Sequence, residues 1–172
     1  MVHVYIGDGK GKTTASLGLA LRALGWGKRV YIAQFLKDPK TPCGEIKALD
    51  KIKIKTDRFK NQIHPIFLKK GAFDRVKTKE SVDEALKRIE KILRDKKHDV
   101  VVLDEILNIL ALRLCSQAQL VKIIKKAKNI EIILTGRNAP AGIIKLADYV
   151  SFIKKVKHPF DKKILARKGI EY

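Results

Sequence analysis

Residues suited to holding phosphate open this chain. Gly7-Asp8-Gly9-Lys10-Gly11-Lys12-Thr13-Thr14 follows the apolar run Val2 to Ile6 and precedes the Ala/Leu-rich segment Ala15 to Leu24. The order predicts strand, phosphate loop, helix. Glycines let the backbone bend so that several N–H groups converge on an anion, and the following helix turns the positive end of its dipole toward the same point. Lys12 then supplies a point charge to the phosphates, and the Thr13 hydroxyl a ligand for Mg²⁺ or Mn²⁺. Against the common spacing G-x-x-x-x-G-K-[ST] the loop is one residue short, because counting back five from Gly11 reaches Ile6 and the first glycine is Gly7. The bland alternative is a glycine-rich turn with no ligand. The Gly-Lys-Thr ending, with a strand before it and a helix after it, favours the phosphate reading.

A second landmark is the continuous apolar run from Val100 to Leu103 that ends in Asp104 and Glu105. Such a run is expected of a strand buried on both faces, and two carboxylates at its end are costly unless something positive lies near. In a phosphate-loop protein that is Mg²⁺, held from the other side by Thr13. The competing reading is a pair of acids capping the next helix. Three further polar residues fall where strands or helices point toward such a site. Gln34 and Arg137 each close an apolar run, and residues at the carboxyl ends of parallel strands face the ligand crevice. Arg137 either reaches a phosphate or pairs with a surface acid. Arg22, the only charge in the helix after the loop, either extends to solvent or is aimed at the nucleotide.

The elements that must position these residues alternate. Strands are expected at Val2–Ile6, Arg29–Phe35, Asp99–Asp104, Ile130–Leu134 and Tyr149–Ile153, with an outer strand at Ile52–Thr56. The helix through Leu17, Ala20 and Leu24 is apolar on nearly all sides and should be buried beside the sheet, with Gly25 as its cap. Lys37 to Glu45, with two prolines and a glycine, reads as a loop, and the segment from Asn61 to Lys79 shows no period. Val82, Ala85, Leu86, Ile89 and Leu93 recur at helical spacing behind a capping box at Ser81 and Glu84, and Ser116 with Gln119 opens another helix. Strands alternating with helices give a mostly parallel sheet covered on both faces.

The chain has 172 residues and is 45% hydrophobic, enough for one domain with a real core. Its 38 Lys and Arg against 18 Asp and Glu leave a formal charge of +20. That balance attracts acidic proteins, nucleic acid or headgroups, or else marks a lysine-coated surface. No aromatic residues interleave a basic stripe, so nucleic acid takes second place. Cys43 and Cys115 stand apart and suggest neither a metal cage nor a disulfide. No apolar run reaches membrane-spanning length, and the first strand follows Met1 directly, so a cytoplasmic protein with no signal peptide is expected. Composition alone makes the lysine-rich end a mobile tail.

Four stretches together resemble the ATP:corrinoid adenosyltransferase family of the cob(I)yrinic acid a,c-diamide type: GDGKGKTTA continuing to RALGWGKRV, QFLK at Gln34 to Lys37, VVLDE at Val101 to Glu105, and TGR with the VKHPF…ARKGIEY ending. The resemblance spans almost the whole chain and implies a phosphate-loop NTPase (RecA-like) α/β fold. It implies that ATP is not hydrolysed at its γ-phosphate. Cobalt(I) of a reduced corrinoid attacks the ribose C5′ and expels tripolyphosphate, with the nucleotide reversed in the loop, which suits the missing residue. The protein then needs no nucleophile of its own. By this resemblance Gly7, Gly9, Gly11 and Lys12 cradle the triphosphate, Thr13 and Glu105 hold Mg²⁺ with Asp104 in support, and Arg137 adds charge. An ordinary phosphate-loop ATPase and a nucleic-acid-binding NTPase are the rivals. The family also implies a homodimer and an acidic flavoprotein reductase.

Three departures from the family pattern stand out. Better-known members carry an N-terminal extension that covers the corrinoid, whereas Met1 here lies right before the first expected strand. A Trp-containing segment is replaced by Gly71-Ala72-Phe73-Asp74, which leaves Phe73 or Phe67 as a stand-in, with Trp26 elsewhere. Lys163 stands where the tail usually has glycine.

Overall fold

The computed structural model describes residues 1–69 and 71–171, apart from the side chain of Phe67. Strands β1 (Val2–Ile6), β2 (Val30–Gln34), β3 (Lys55–Arg58), β4 (Val100–Asp104), β5 (Glu131–Thr135) and β6 (Tyr149–Phe152) form one sheet in the order β3-β2-β4-β5-β1-β6. Every pairing in it is parallel. Helices α1 (Lys12–Gly25), α2 (Gly44–Lys51), α3 (Arg75–Asp95), α4 (Ile106–Ala111), α5 (Gln117–Lys126) and α6 (Ala141–Ile144) supply the connections. The α/β fold agrees with the phosphate-loop NTPase class.

Successive side chains of a strand point to opposite faces. Tyr31, Ala33, Val101, Leu103, Ile132 and Leu134 therefore meet Leu86, Ile89, Leu93, Leu120 and Ile123 in the larger core. Ile32, Val100, Val102 and Ile133 meet Ala20, Leu49 and Ile54 on the other side. All residues of β2 and β4 are buried, which is why both read as unbroken apolar runs. Parallel register then does the positioning. Gln34 lies opposite Asp104, Leu103 opposite Leu134, and Tyr5 opposite Thr135, so the polar ends of β2, β4 and β5 share one edge with the loop after β1.

Several expectations are revised. The outer strand begins three residues later than Ile52 because the Ile-Lys alternation there is the turn that ends α2. Ile52 N donates to Ala48 O, Lys53 is left-handed at φ 59°, and Ile54 N donates to Leu49 O. The expected loop Lys37 to Glu45 ends two residues inside helix α2, whose charged residues dilute the pattern and whose N-cap Cys43 makes no side-chain bond. Helix α3 starts at Arg75, where Asp74 accepts from Lys77 N at 3.0 Å. Ser81 is interior to that helix and donates to Lys60 O instead of capping. The Ser116–Gln119 capping box is present in full. Helix α1 departs most: Ser16 and Ala20 are its only buried residues, while Leu21 is 58% and the following Trp26 84% exposed.

Candidate active site

Strand β1 delivers the chain to the loop, and two backbone features hold the loop's shape. Gly7 has φ +124° with its amide bonded to Arg137 O at 3.0 Å, and a Cβ there would run into the Ile153 carbonyl. Gly11, also at φ +124°, is the residue from which α1 starts, and Ala15 N donates back to its carbonyl at 2.7 Å. Lys12 folds across the loop, its Nζ donating to Gly9 O at 2.8 Å. Burial pushes the Lys12 pKa down, and nearby Arg137 adds to this against the pull of Glu105.

Asp104 is fully buried and is the hub of the edge. Its Oδ1 accepts from Thr13 Oγ1 at 3.0 Å and from Thr135 Oγ1 at 2.7 Å. Its Oδ2 accepts from Gln34 Nε2 at 3.2 Å and lies 3.0 Å from Lys37 Nζ. With both oxygens engaged, Asp104 orients Thr13. Gln34 is fully buried too, and its Oε1 accepts from Arg58 Nε at 2.8 Å, so this residue stands behind Asp104 and does not face a ligand as expected.

Glu105 sits at the N-cap position of α4 but makes no side-chain capping bond, which disposes of the capping alternative for it. Its backbone is left-handed, φ 65°, with its amide bonded to Thr135 Oγ1 at 2.8 Å, and Asn108 Nδ2 donates to its carboxylate. Burial, with Asp104 beside it, pushes the Glu105 pKa up despite Lys37 and Lys12. A non-glycine residue in this conformation is strained, and such strain gathers at functional sites.

Two cavities flank this group. One, of about 400 Å³, is lined by Gly9 to Thr14, Lys37, Glu45, Glu105 and the tail residues Gly169 to Glu171. The other, of about 250 Å³, is lined by Asp8, Lys12, Lys37, Glu105, Asn108, Arg137, Leu36, His64 and Ile66. Among the described residues the Arg137 side chain makes no ion pair, so the surface-salt-bridge reading loses its support. Burial and Arg137 push His64 down, which keeps it neutral at pH 7.

Other expected site residues have separate tasks. Asp8 accepts from Lys155 N at 3.0 Å and ties the loop to the segment after β6. Lys10 reaches Ile170 O and Glu171 Oε1, each at 3.1 Å, and Arg167 holds Glu171 from the other side. Ile170 and Glu171 of the tail are thus docked on the loop. Thr14 is exposed at the mouth of the first cavity. Arg22 does not join the site: ten residues beyond Lys12 on a helix rising about 1.5 Å per residue, it lies in a groove with Met1, His3 and Asp99 at the opposite edge of the sheet. Phe73 packs against the larger core, and the Phe67 side chain lies outside the described residues. His64 and the 65% exposed Ile66 occupy the cavity wall instead.

Lys37, Glu45, His64, Asn108 and Thr135 were not read from the sequence as site residues. The signal for Thr135 and Lys37 was there, since each follows or closes an apolar run in register with Asp104.

The donor chemistry fits a hard divalent cation. Thr13 and Glu105 offer hydroxyl and carboxylate oxygen, and no group of three or more His, Cys, Asp or Glu side chains that could cage an ion occurs among the described residues. Mg²⁺ characteristically uses one or two carboxylates and completes its shell with water and substrate phosphates.

Residues 1–172 match the family model described as ATP:corrinoid adenosyltransferase BtuR/CobO/CobP. The chain is 32% identical over 173 residues to a corrinoid adenosyltransferase of Escherichia coli K12, covering all of this chain and 85% of that protein. It is 31% identical to the corrinoid adenosyltransferase CobA of Salmonella typhimurium LT2, covering 100% and 85%, and 33% identical to a corrinoid adenosyltransferase of Pseudomonas aeruginosa, covering 98% and 82%. With the loop, the Asp104 hub and this full-length match together, the chain belongs to the ATP:corrinoid adenosyltransferase family.

Proposed function

We propose that the protein, acting as one domain over residues 1–172, transfers the 5′-deoxyadenosyl group of ATP to cobalt(I) of a reduced corrinoid and releases tripolyphosphate. The observation that carries this reading is the pairing of a foreshortened glycine loop with Asp104 and Glu105 beside two cavities that share Lys12, Lys37 and Glu105 as lining. The loop amides and Lys12 grip the triphosphate. Thr13 and Glu105 would hold Mg²⁺, which would neutralise charge at the phosphate oxygens, and Asp104 keeps the Thr13 hydroxyl in place. Arg137 faces the second cavity with Lys12 and Glu105 and adds a cation where the bond to C5′ breaks. The protein's work is alignment and stabilisation of the leaving group.

Product analysis tests this. Anaerobic incubation with ATP, Mg²⁺ and reduced cobalamin should give tripolyphosphate and the corrin absorption change of an alkylated cobalt. ADP and phosphate would mark an ordinary ATPase instead.

The partners follow from two surfaces. The charge of +20 steers an acidic flavoprotein reductase. Turnover with that reductase should therefore fall steeply with salt, while a chemical reductant shows little change. The uncovered apolar face of α1, with Leu21 and Trp26, supports a homodimer, which sedimentation of wild type against Leu21→Glu checks. Among the described residues no helix is long and apolar enough to cross a membrane, and a cytoplasmic location suits the chemistry.

A further inference from the structure

Lys12, Lys37 and Glu105 are the residues that line both cavities, so they mark the junction between them. Lys37 holds its position there by an unusual backbone. The residue before it, Leu36, is 4% exposed and left-handed at φ 52°, a strained state for a branched side chain. Leu36 follows β2 and Glu105 follows β4, and these strands are paired neighbours. Two adjacent strands thus end in left-handed non-glycine residues, and the pair brings Lys37 and Glu105 to the same place.

The charges at the junction need Lys37. Among the described residues Lys37 is the one cation paired with the buried Asp104, whereas Glu45 also has Arg58 Nη2 at 3.7 Å. The Lys37 ammonium is 3.0 Å from Asp104 Oδ2 and 3.5 Å from Glu45 Oε1. The side chain is 26% exposed, whereas Asp104 is completely enclosed. Lysine carries its charge on a flexible four-carbon stem, so the ammonium can swing from the carboxylates into either cavity.

We propose that Lys37 is a second triphosphate-binding lysine, a catalytic residue that touches the leaving group at the junction and neutralises it as the C5′–oxygen bond breaks. The inference rests on the adenosyl-transfer reading. As cobalt(I) supplies the electron pair of the new cobalt–carbon bond, the pair of the broken bond leaves on a triphosphate oxygen, and Lys37 with Lys12 receives that charge.

Calorimetric titration with Mg²⁺-tripolyphosphate tests the assignment apart from turnover. Lys37→Met should raise the Kd at least tenfold and lower the rate of adenosyl transfer by about 10²-fold. Lys37→Arg, which keeps the charge and its pairing with Asp104, should bind tripolyphosphate within about threefold of wild type. A folded Lys37→Met protein with unchanged Kd would overturn the proposal, as would equal losses in the Met and Arg variants. If wild type forms no tripolyphosphate from ATP, the adenosyl-transfer reading fails by itself, and the binding comparison still judges Lys37.

Discussion

The two edges of the sheet are built from similar residues and behave in opposite ways. At the amino edge Asp99 is held by a fork: Arg29 donates to it from its backbone N, Nε and Nη2 at 2.8, 3.0 and 2.9 Å. His3 and the N-terminal amine both approach Glu131, and His3 stacks on Tyr149 at 4.7 Å between centroids. At the carboxyl edge Glu105 is buried beside a second carboxylate, Lys12 is pressed toward its neutral form, and Leu36 and Glu105 occupy strained backbone. The amino edge has the larger single cavity, about 520 Å³ against about 400 Å³ and about 250 Å³. Cavity size therefore does not find the site. Buried groups pushed away from their ordinary pKa values and gathered beside an anion-binding loop do.

The largest effect that can break this contrast is on turnover. Lys12→Ala and Glu105→Ala should each lower kcat by about 10²–10³-fold, the loss of one well-placed group in a dry site. Asp99→Asn should leave kcat unchanged under the same steady-state assay.

Next in size is an effect of opposite sign on stability. The Glu105 pKa is raised in the folded state above its ordinary value of 4.5, so folding loses stability as pH rises through the folded value. Glu105→Gln removes that loss. Its Tm should exceed wild type by a few degrees at pH 7.5, the scale on which about 1 kcal/mol shows in a domain of this size, and the gap should close below pH 4.5. Thermal scans across pH check this. An inactive variant that is more stable than its parent would be the sharpest form of the comparison.

The smallest effect belongs to the amino edge. The Arg29 fork holds the Asp99 pKa well below its ordinary 3.8, so its contribution is present above that pH and is lost as pH falls through the folded value. Asp99→Asn should lower Tm slightly at pH 7, by less than the Glu105→Gln gain, with the difference fading in acid. The pair is exposed and screened by salt, which keeps the effect small.

Much of the fold was legible because the middles of β2, β4 and β5 are buried on both faces and must be apolar there. The carboxyl-end site was legible for a related reason: glycines at φ +124° and acids ending a buried run are too costly to occur idly. Helix starts were less legible. The spacing of Ser81 and Glu84 matches a cap by coincidence, while Asp74 does the capping within a stretch that has no period. Lys163, which stands where the family's tail usually has glycine, is left-handed at φ 59°, a conformation glycine adopts most readily.

The chain by itself determined the phosphate loop, the carboxylate pair and the alternation of strands and helices, since these rest on local spacing and on burial along a single strand. Tertiary structure alone decided which polar groups meet. Strand register put Gln34 behind Asp104 and Lys37 in front of it, helix length carried Arg22 to the wrong edge, and the tail came back onto Lys10. Contacts between residues far apart in the chain depend on how neighbouring strands align, and no spacing within one segment encodes that.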